Sequence, residues 1–128
     1  MNTLHGLQAT CDTLGLRFET TAESLILQFG TVDDPIPLVV SPFDLVVSVV
    51  RPCGAVRADA ITAAAVLANR LNVAGSLIGS FWIREHDLLL AYEVTIVAPE
   101  GVTAIQLDVA LAAAALNPNP AHFATLLR

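Results

Sequence analysis

Lysine is absent from this chain, and charge of either sign is scarce: 14 % of its 128 residues are charged, against about 25 % in an average soluble domain. All six basic residues are arginines, and twelve acids leave a net charge of −6. An acidic chain without lysine has little with which to neutralise a phosphate backbone, so no nucleic-acid partner is expected. Aromatic residues make up only 5 %, and with no basic surface to guide a strand to them, base stacking is a poor account of Trp82 or Tyr92. Cysteine is limited to Cys11 and Cys53, too few and too far apart for a disulfide framework or a zinc knuckle; reduced, packed thiols are the expectation. A membrane span is missing too. The longest uncharged run, residues 109–127, contains Asn117-Pro118-Asn119-Pro120, which would break a spanning helix. The first residues, MNTLHGLQATCD, carry no basic group and no continuous apolar stretch, so no secretory signal is expected and the chain reads as cytoplasmic.

Apolar residues, by contrast, are abundant: they make up 55 % of the chain, and the mean hydropathy is +0.67. A mass of 13.5 kDa suits one domain, residues 1–128. Scaling with mass gives a folded surface of roughly 6,500 Å² and burial of about two-thirds of the unfolded surface, enough for a real core. So apolar a chain has few groups to cover its own outside, which favours a surface finished by a partner or a second copy.

Spacing and turn residues order the elements. Leu4, Leu7, Cys11 and Leu14 recur at helical steps, with Asn2 or Thr3 as cap and Gly15 as stop. LRFET and SLILQF read as a tightly connected strand pair, and GTVDDPIP as a surface loop. Pro42 divides the valine-rich LVVSPFDLVVSVVR into a short leading piece and a main strand from Phe43 to about Arg51, ended by Pro52-Cys53-Gly54. Ile61 to about Asn72 forms a second helix that Asp59 is placed to cap. VAGSLIGS reads as a flexible crossing segment, and FWIRE and LLLAYEVTIV form a hairpin turning at His86-Asp87. Thr103 and Gln106 make a capping box for a third helix, Ala104 to Leu116. Residues 117–128 then form a short C-terminal extension with a helix starting at Pro120 and running through Leu127. The order is helix, three or four strands, helix, two strands, helix. It specifies an α+β domain with an antiparallel sheet of about five strands and three helices on one side.

Reactive constellations are thin. Glu85-His86-Asp87 could orient an imidazole, but adjacent strand residues point to opposite faces and a hairpin tip is solvated. No local spacing supplies a metal site, and neither a metal nor another cofactor is expected. Gly75-Ser76-Leu77-Ile78-Gly79-Ser80 precedes a strand rather than a helix and lacks lysine, so it is not a phosphate cradle.

Strand alternation is more informative. A hairpin turning at His86-Asp87 pairs Glu85 with Leu88, Arg84 with Leu89, Ile83 with Leu90, Trp82 with Ala91 and Phe81 with Tyr92. Phe81, Ile83, Leu90, Tyr92 and Val94 then share the face toward the helices, and Trp82, Arg84, Leu89, Ala91, Glu93 and Thr95 the opposite one. In the valine-rich strand Phe43, Leu45, Val47 and Val49 likewise alternate with Asp44, Val46, Ser48 and Val50. If neither a helix nor the tail covers that second face, Trp82 with Val46, Val50, Leu89 and Arg84 is the candidate protein-binding surface, a large aromatic among apolar neighbours being what an interface centre uses.

ITAAAVLANRLN, GSFWIREHDLLLAYEV and GVTAIQLDVALAAA resemble the second half of the YbjN family of small bacterial proteins. The residues that carry the likeness are Asn69 and Asn72, Phe81 through Leu90, Tyr92, and Thr103 through Leu107. Pro118 and Pro120 depart from it, standing where the family pattern continues as helix. The family is similar in fold to type III secretion chaperones, and the resemblance implies a small, acidic, dimeric protein that binds unfolded or extended segments of other proteins. It supplies no catalytic residues. The expected function is therefore a non-enzymatic interaction module, chaperone-like or regulatory, whose partner is another protein or a second copy. A small-ligand protein or minor enzyme with a pocket between sheet and helices is the alternative, and a structural domain of a larger assembly is a third.

Overall fold

A computed structural model describes residues 1–74 and 78–128. Its element order is α1 (Leu4–Thr13), β1 (Glu19–Thr20), β2 (Leu25–Gly30), β3 (Pro35–Pro42), β4 (Val46–Ala55), α2 (Ile61–Val73), β5 (Ser80–Arg84), β6 (Leu89–Val97) and α3 (Ala104–Leu116), with a C-terminal 3-10 helix at Pro120–Leu126. The strands form one sheet in the order β1-β2-β3-β4-β6-β5, with every neighbouring pair antiparallel. The α+β class therefore holds, but among the described residues there are six strands rather than five, and the C-terminal helix joins the three α-helices. Because β6 lies between β4 and β5, α2 carries the chain across it to the sheet edge. Part of the segment read as a flexible crossing, residues 75–77, lies outside the described residues.

Local chemistry explains most element ends. Thr3 caps α1 by accepting from the Gly6 N–H, and past the helix Gly15 sits at φ 70°. The Gly15 N–H donates to the Asp12 carbonyl and the Leu16 N–H to the Cys11 carbonyl, the paired closure that a left-handed glycine permits. The Thr103–Gln106 capping box starts α3 as its sequence specifies.

Several boundaries differ from the sequence expectation. LRFET contributes only Glu19–Thr20 as strand. The loop after β2 is limited to residues 31–34, because Pro35 and Pro37 already belong to β3. The ladder from β3 to β4 begins only at Val39, so the first half of β3 has a single strand neighbour and its two prolines have a side on which no ladder bond is needed. Phe43–Leu45 turn instead of opening β4, and β4 continues past Pro52 through a bulge to Ala55. Gly54, at φ 125° and with Leu127 3.2 Å from where a Cβ would stand, makes that bulge possible. Asp59 does not cap α2: it lies in a 3-10 turn, Ala58–Ala60, and pairs with Arg57 at 3.6 Å, leaving Ala60 at the cap position. The hairpin connection is Glu85–Leu88, with Leu88 at φ 58°, so Glu85 and Leu88 do not pair while the other four expected pairs form. The final helix is a 3-10 helix ending at Leu126, and Leu127 bridges to Val56.

The core lies on one side of the sheet. Leu25, Leu27, Leu38, Val40, Val47, Val49, Phe81, Leu90, Tyr92 and Val94 are buried against Leu7 and Cys11 of α1, Ala64 and Ala68 of α2, and Leu107, Leu111 and Ala114 of α3. Residues 117–128 close this core. Phe123 is fully buried with its ring 5.0 Å from that of Phe81, and the backbone is tied by Arg57 N–H to the Leu126 carbonyl and Arg128 N–H to the Ala55 carbonyl. Arg51, facing the helices from β4, donates to the Ala115 carbonyl at 2.7 Å, placing a cation at the negative end of α3.

Candidate functional site: an uncovered sheet face

Strand register decides what the opposite face presents. One row across the sheet runs Ile26, Val39, Val50, Glu93 and Ser80, each directly opposite the next. A second runs Ser41, Ser48 and Thr95, with the Ser24 hydroxyl 2.7 Å from that of Ser41. A third runs Pro52, Ala91 and Trp82, and beyond it Ala55, Leu89 and Arg84. Residues on this face are half-buried or exposed, except Ala91 and Ser48. Among the described residues, neither the helices nor the C-terminal segment covers it: the residues buried against them belong to the other face. The chain exposes 7370 Å² in all, more than the roughly 6,500 Å² its mass predicts.

All five residues of the candidate surface stand on this face, but they do not form one cluster. Val50 is near its centre, Trp82 stands two strands away on the edge strand β5, and Leu89 lies diagonally beside Trp82. Val46 pairs with the exposed Val97 at the far end, four residues and roughly 13 Å along β4 from Val50. Arg84 is turned to the hairpin, where Nε and Nη2 both donate to the Asp87 carboxylate. That contact holds Asp87 well below the usual carboxylate range, the Arg84 hydrogen bonds being the main cause. His86 projects into solvent beside it. Among the described residues, no group of acids, histidines or cysteines converges to hold a metal ion.

Two residues that were not singled out from the sequence organise the centre. Glu93 accepts from Trp82 Nε1 on one carboxylate oxygen, at 3.0 Å, and from the Ser48 hydroxyl on the other. The indole is thereby fixed against the face. Alternation placed Glu93 and Ser48 on this side, and an acid among apolar strand positions diagonal to a tryptophan was the available signal.

At the edge of β5 the Asn72 side chain both donates to the Phe81 carbonyl, at 2.9 Å, and accepts its N–H, at 2.8 Å, covering part of an otherwise open strand edge. Tyr92 is buried, its hydroxyl accepting from the Gly79 N–H and donating to Asn117. Gly79 must be glycine, since a Cβ there would meet the Glu93 carbonyl at 2.1 Å.

A second apolar surface is the outer side of α3. Ile105, Val109, Ala112 and Leu116 repeat at steps of four, three and four, and Ile105 and Leu116 are 78 % and 81 % exposed. Between α3 and β6 an open groove of about 410 Å³ is lined by Val94, Val97, Ile105, Val109 and their neighbours. Among the described residues, no ionisable side chain lines it.

No family model and no curated protein matches the chain. Solved structures do. The chain superposes on YbjN from E. coli, a candidate transcription regulator, with a TM-score of 0.63 and 19 % identity, over 84 % of this chain and 78 % of the other. The fold is that of YbjN and of a type III secretion chaperone. The chaperone is SycH of Yersinia pestis, solved in complex with a stable fragment of YscM2, with a TM-score of 0.58 and 13 % identity over 95 % of this chain and 97 % of SycH. The YbjN likeness carried by the hairpin and capping-box residues is thus met in three dimensions, at identities that speak for the fold alone. No helix among the described residues is long and apolar enough to cross a membrane.

Proposed function

We propose that this protein is a cytoplasmic, non-enzymatic interaction module, chaperone-like or regulatory, that binds segments of other proteins on the uncovered sheet face. The observation that carries the reading is the division of the sheet: among the described residues the helices pack on one face, and the other presents the half-buried Ile26, Val39, Val50 and Trp82. A half-apolar face that carries a fixed indole has the composition of an interface core. That SycH was solved with a protein fragment bound is in keeping with this use of the fold. A second copy is the other proposed partner, and the apolar steps along the outer side of α3 suit helix-to-helix pairing.

The test replaces Trp82 with Arg, a change on an uncovered face that leaves the core intact. Molar mass in solution and proteins retained from the native host are compared for the wild type and the Trp82→Arg variant. Loss of a retained protein, or of self-association, in a folded variant is expected. Unchanged mass together with unchanged retention would remove the open face as the binding surface.

A further inference from the structure

We propose that Glu93 and Trp82 together receive a basic side chain, an arginine or a lysine, carried within an apolar segment of another protein. This rests on the open-face reading and names the chemistry of its partner. Glu93 is half-buried on β6, one strand in from the sheet edge, beside Ser48 and opposite Val50. Its two hydrogen bonds come from neutral donors, the indole N–H and a serine hydroxyl. The arginine–carboxylate ion pairs among the described residues join Arg57 to Asp59 and Arg84 to Asp87; neither includes Glu93. A carboxylate drawn partly out of water without a countercharge loses solvation that neutral donors restore only in part, and two donors leave about half of its lone-pair positions open.

The surroundings favour a cation over further neutral donors. Trp82, held in place by Glu93 itself, offers the aromatic face that attracts an ammonium or guanidinium most strongly. Arg84 is committed to Asp87 and does not fill the position. Val50, Ala91 and Leu89 around it suit the apolar neighbours of such a residue. Charge also selects the partner: two copies of a chain carrying −6 repel each other, whereas a basic segment is drawn to it. The occupant is therefore another protein rather than a second copy.

A random displayed-peptide library, panned against the wild type and the Glu93→Gln and Trp82→Ala variants, tests this. Selected peptides and their arginine-to-citrulline counterparts are then titrated by the fluorescence of Trp82, the chain's single tryptophan. The wild type is expected to enrich peptides with Arg or Lys among apolar residues, and citrulline to weaken binding roughly tenfold. Glu93→Gln, with unchanged circular dichroism, should enrich apolar peptides without that basic residue and bind both peptide forms alike. Wild-type selection without basic residues, or a Glu93→Gln variant that keeps the arginine preference, would overturn the cation receptor. The open-face reading would survive that result provided Trp82→Ala loses the selected peptides. Wild type enriching nothing beyond Trp82→Ala would overturn both.

Discussion

Replacing Phe123 with Ala measures how far the C-terminal segment belongs to the core. The ring is fully buried, lies 5.0 Å from Phe81, and stands on a 3-10 helix packed against α2. Truncating such a residue typically costs about 3–5 kcal/mol, the lost transfer free energy plus the cavity left behind. An unfolding entropy of about 2.1 cal/mol/K per residue near 60 °C gives roughly 0.27 kcal/mol/K for a chain of 128 residues. The melting temperature of Phe123→Ala should therefore fall by about 11–19 °C. Phe123→Leu keeps most of the burial and gives up mainly the ring contact with Phe81, about 0.5–1.5 kcal/mol, so its fall should be several-fold smaller. Calorimetry or near-ultraviolet circular dichroism on both variants reads the difference. A Phe123→Ala protein melting within about 2 °C of wild type would show that the segment contributes little, and would refute the packing argument.

Tyr92→Phe keeps the buried ring but removes the acceptor of the Gly79 N–H and the donor to Asn117; a loss of about 1–3 kcal/mol is expected by chemical denaturation. Asn72→Ala takes both bonds from the Phe81 backbone, so a loss of similar size, about 1–3 kcal/mol, should come with concentration-dependent association seen by light scattering, because the β5 edge is uncovered. Burial pushes the Cys53 thiol up to about 11 and raises Cys11 as well, so near pH 8 both should alkylate far more slowly in the native protein than in denaturant. Rapid native labelling of Cys53, read by mass spectrometry, would contradict its placement.

Elements whose signal lies within a few residues were legible in the sequence. The cap and glycine stop of α1, the capping box of α3 and the helical period of α2 are short-range chemistry, and so are four of the five hairpin pairs, which follow from a two-residue alternation. Elements that depend on neighbours were not. Pro35 and Pro37 read as loop until the structure shows that β3 lacks a second partner there. Cys53 can bulge out of β4, and the strand continue, only because β6 offers Leu89 and Leu90 to pair with Ala55 and Gly54. The tail's role depends on Phe81, far away in sequence.

For the candidate site the same division holds. Alternation determined that Trp82, Arg84 and Leu89 share one side of the hairpin and Val46 and Val50 one side of β4, because the pleat sends successive residues to opposite faces, and the register of β4 against β6 then put both sets on the same face. Only the tertiary structure decided that this side is left uncovered, that Arg84 is held by Asp87, that Val46 stands apart from the indole, and that Glu93 joins Trp82 to Ser48. Those outcomes depend on which strands become neighbours and on where the helices pack, contacts between residues distant along the chain that no local period encodes.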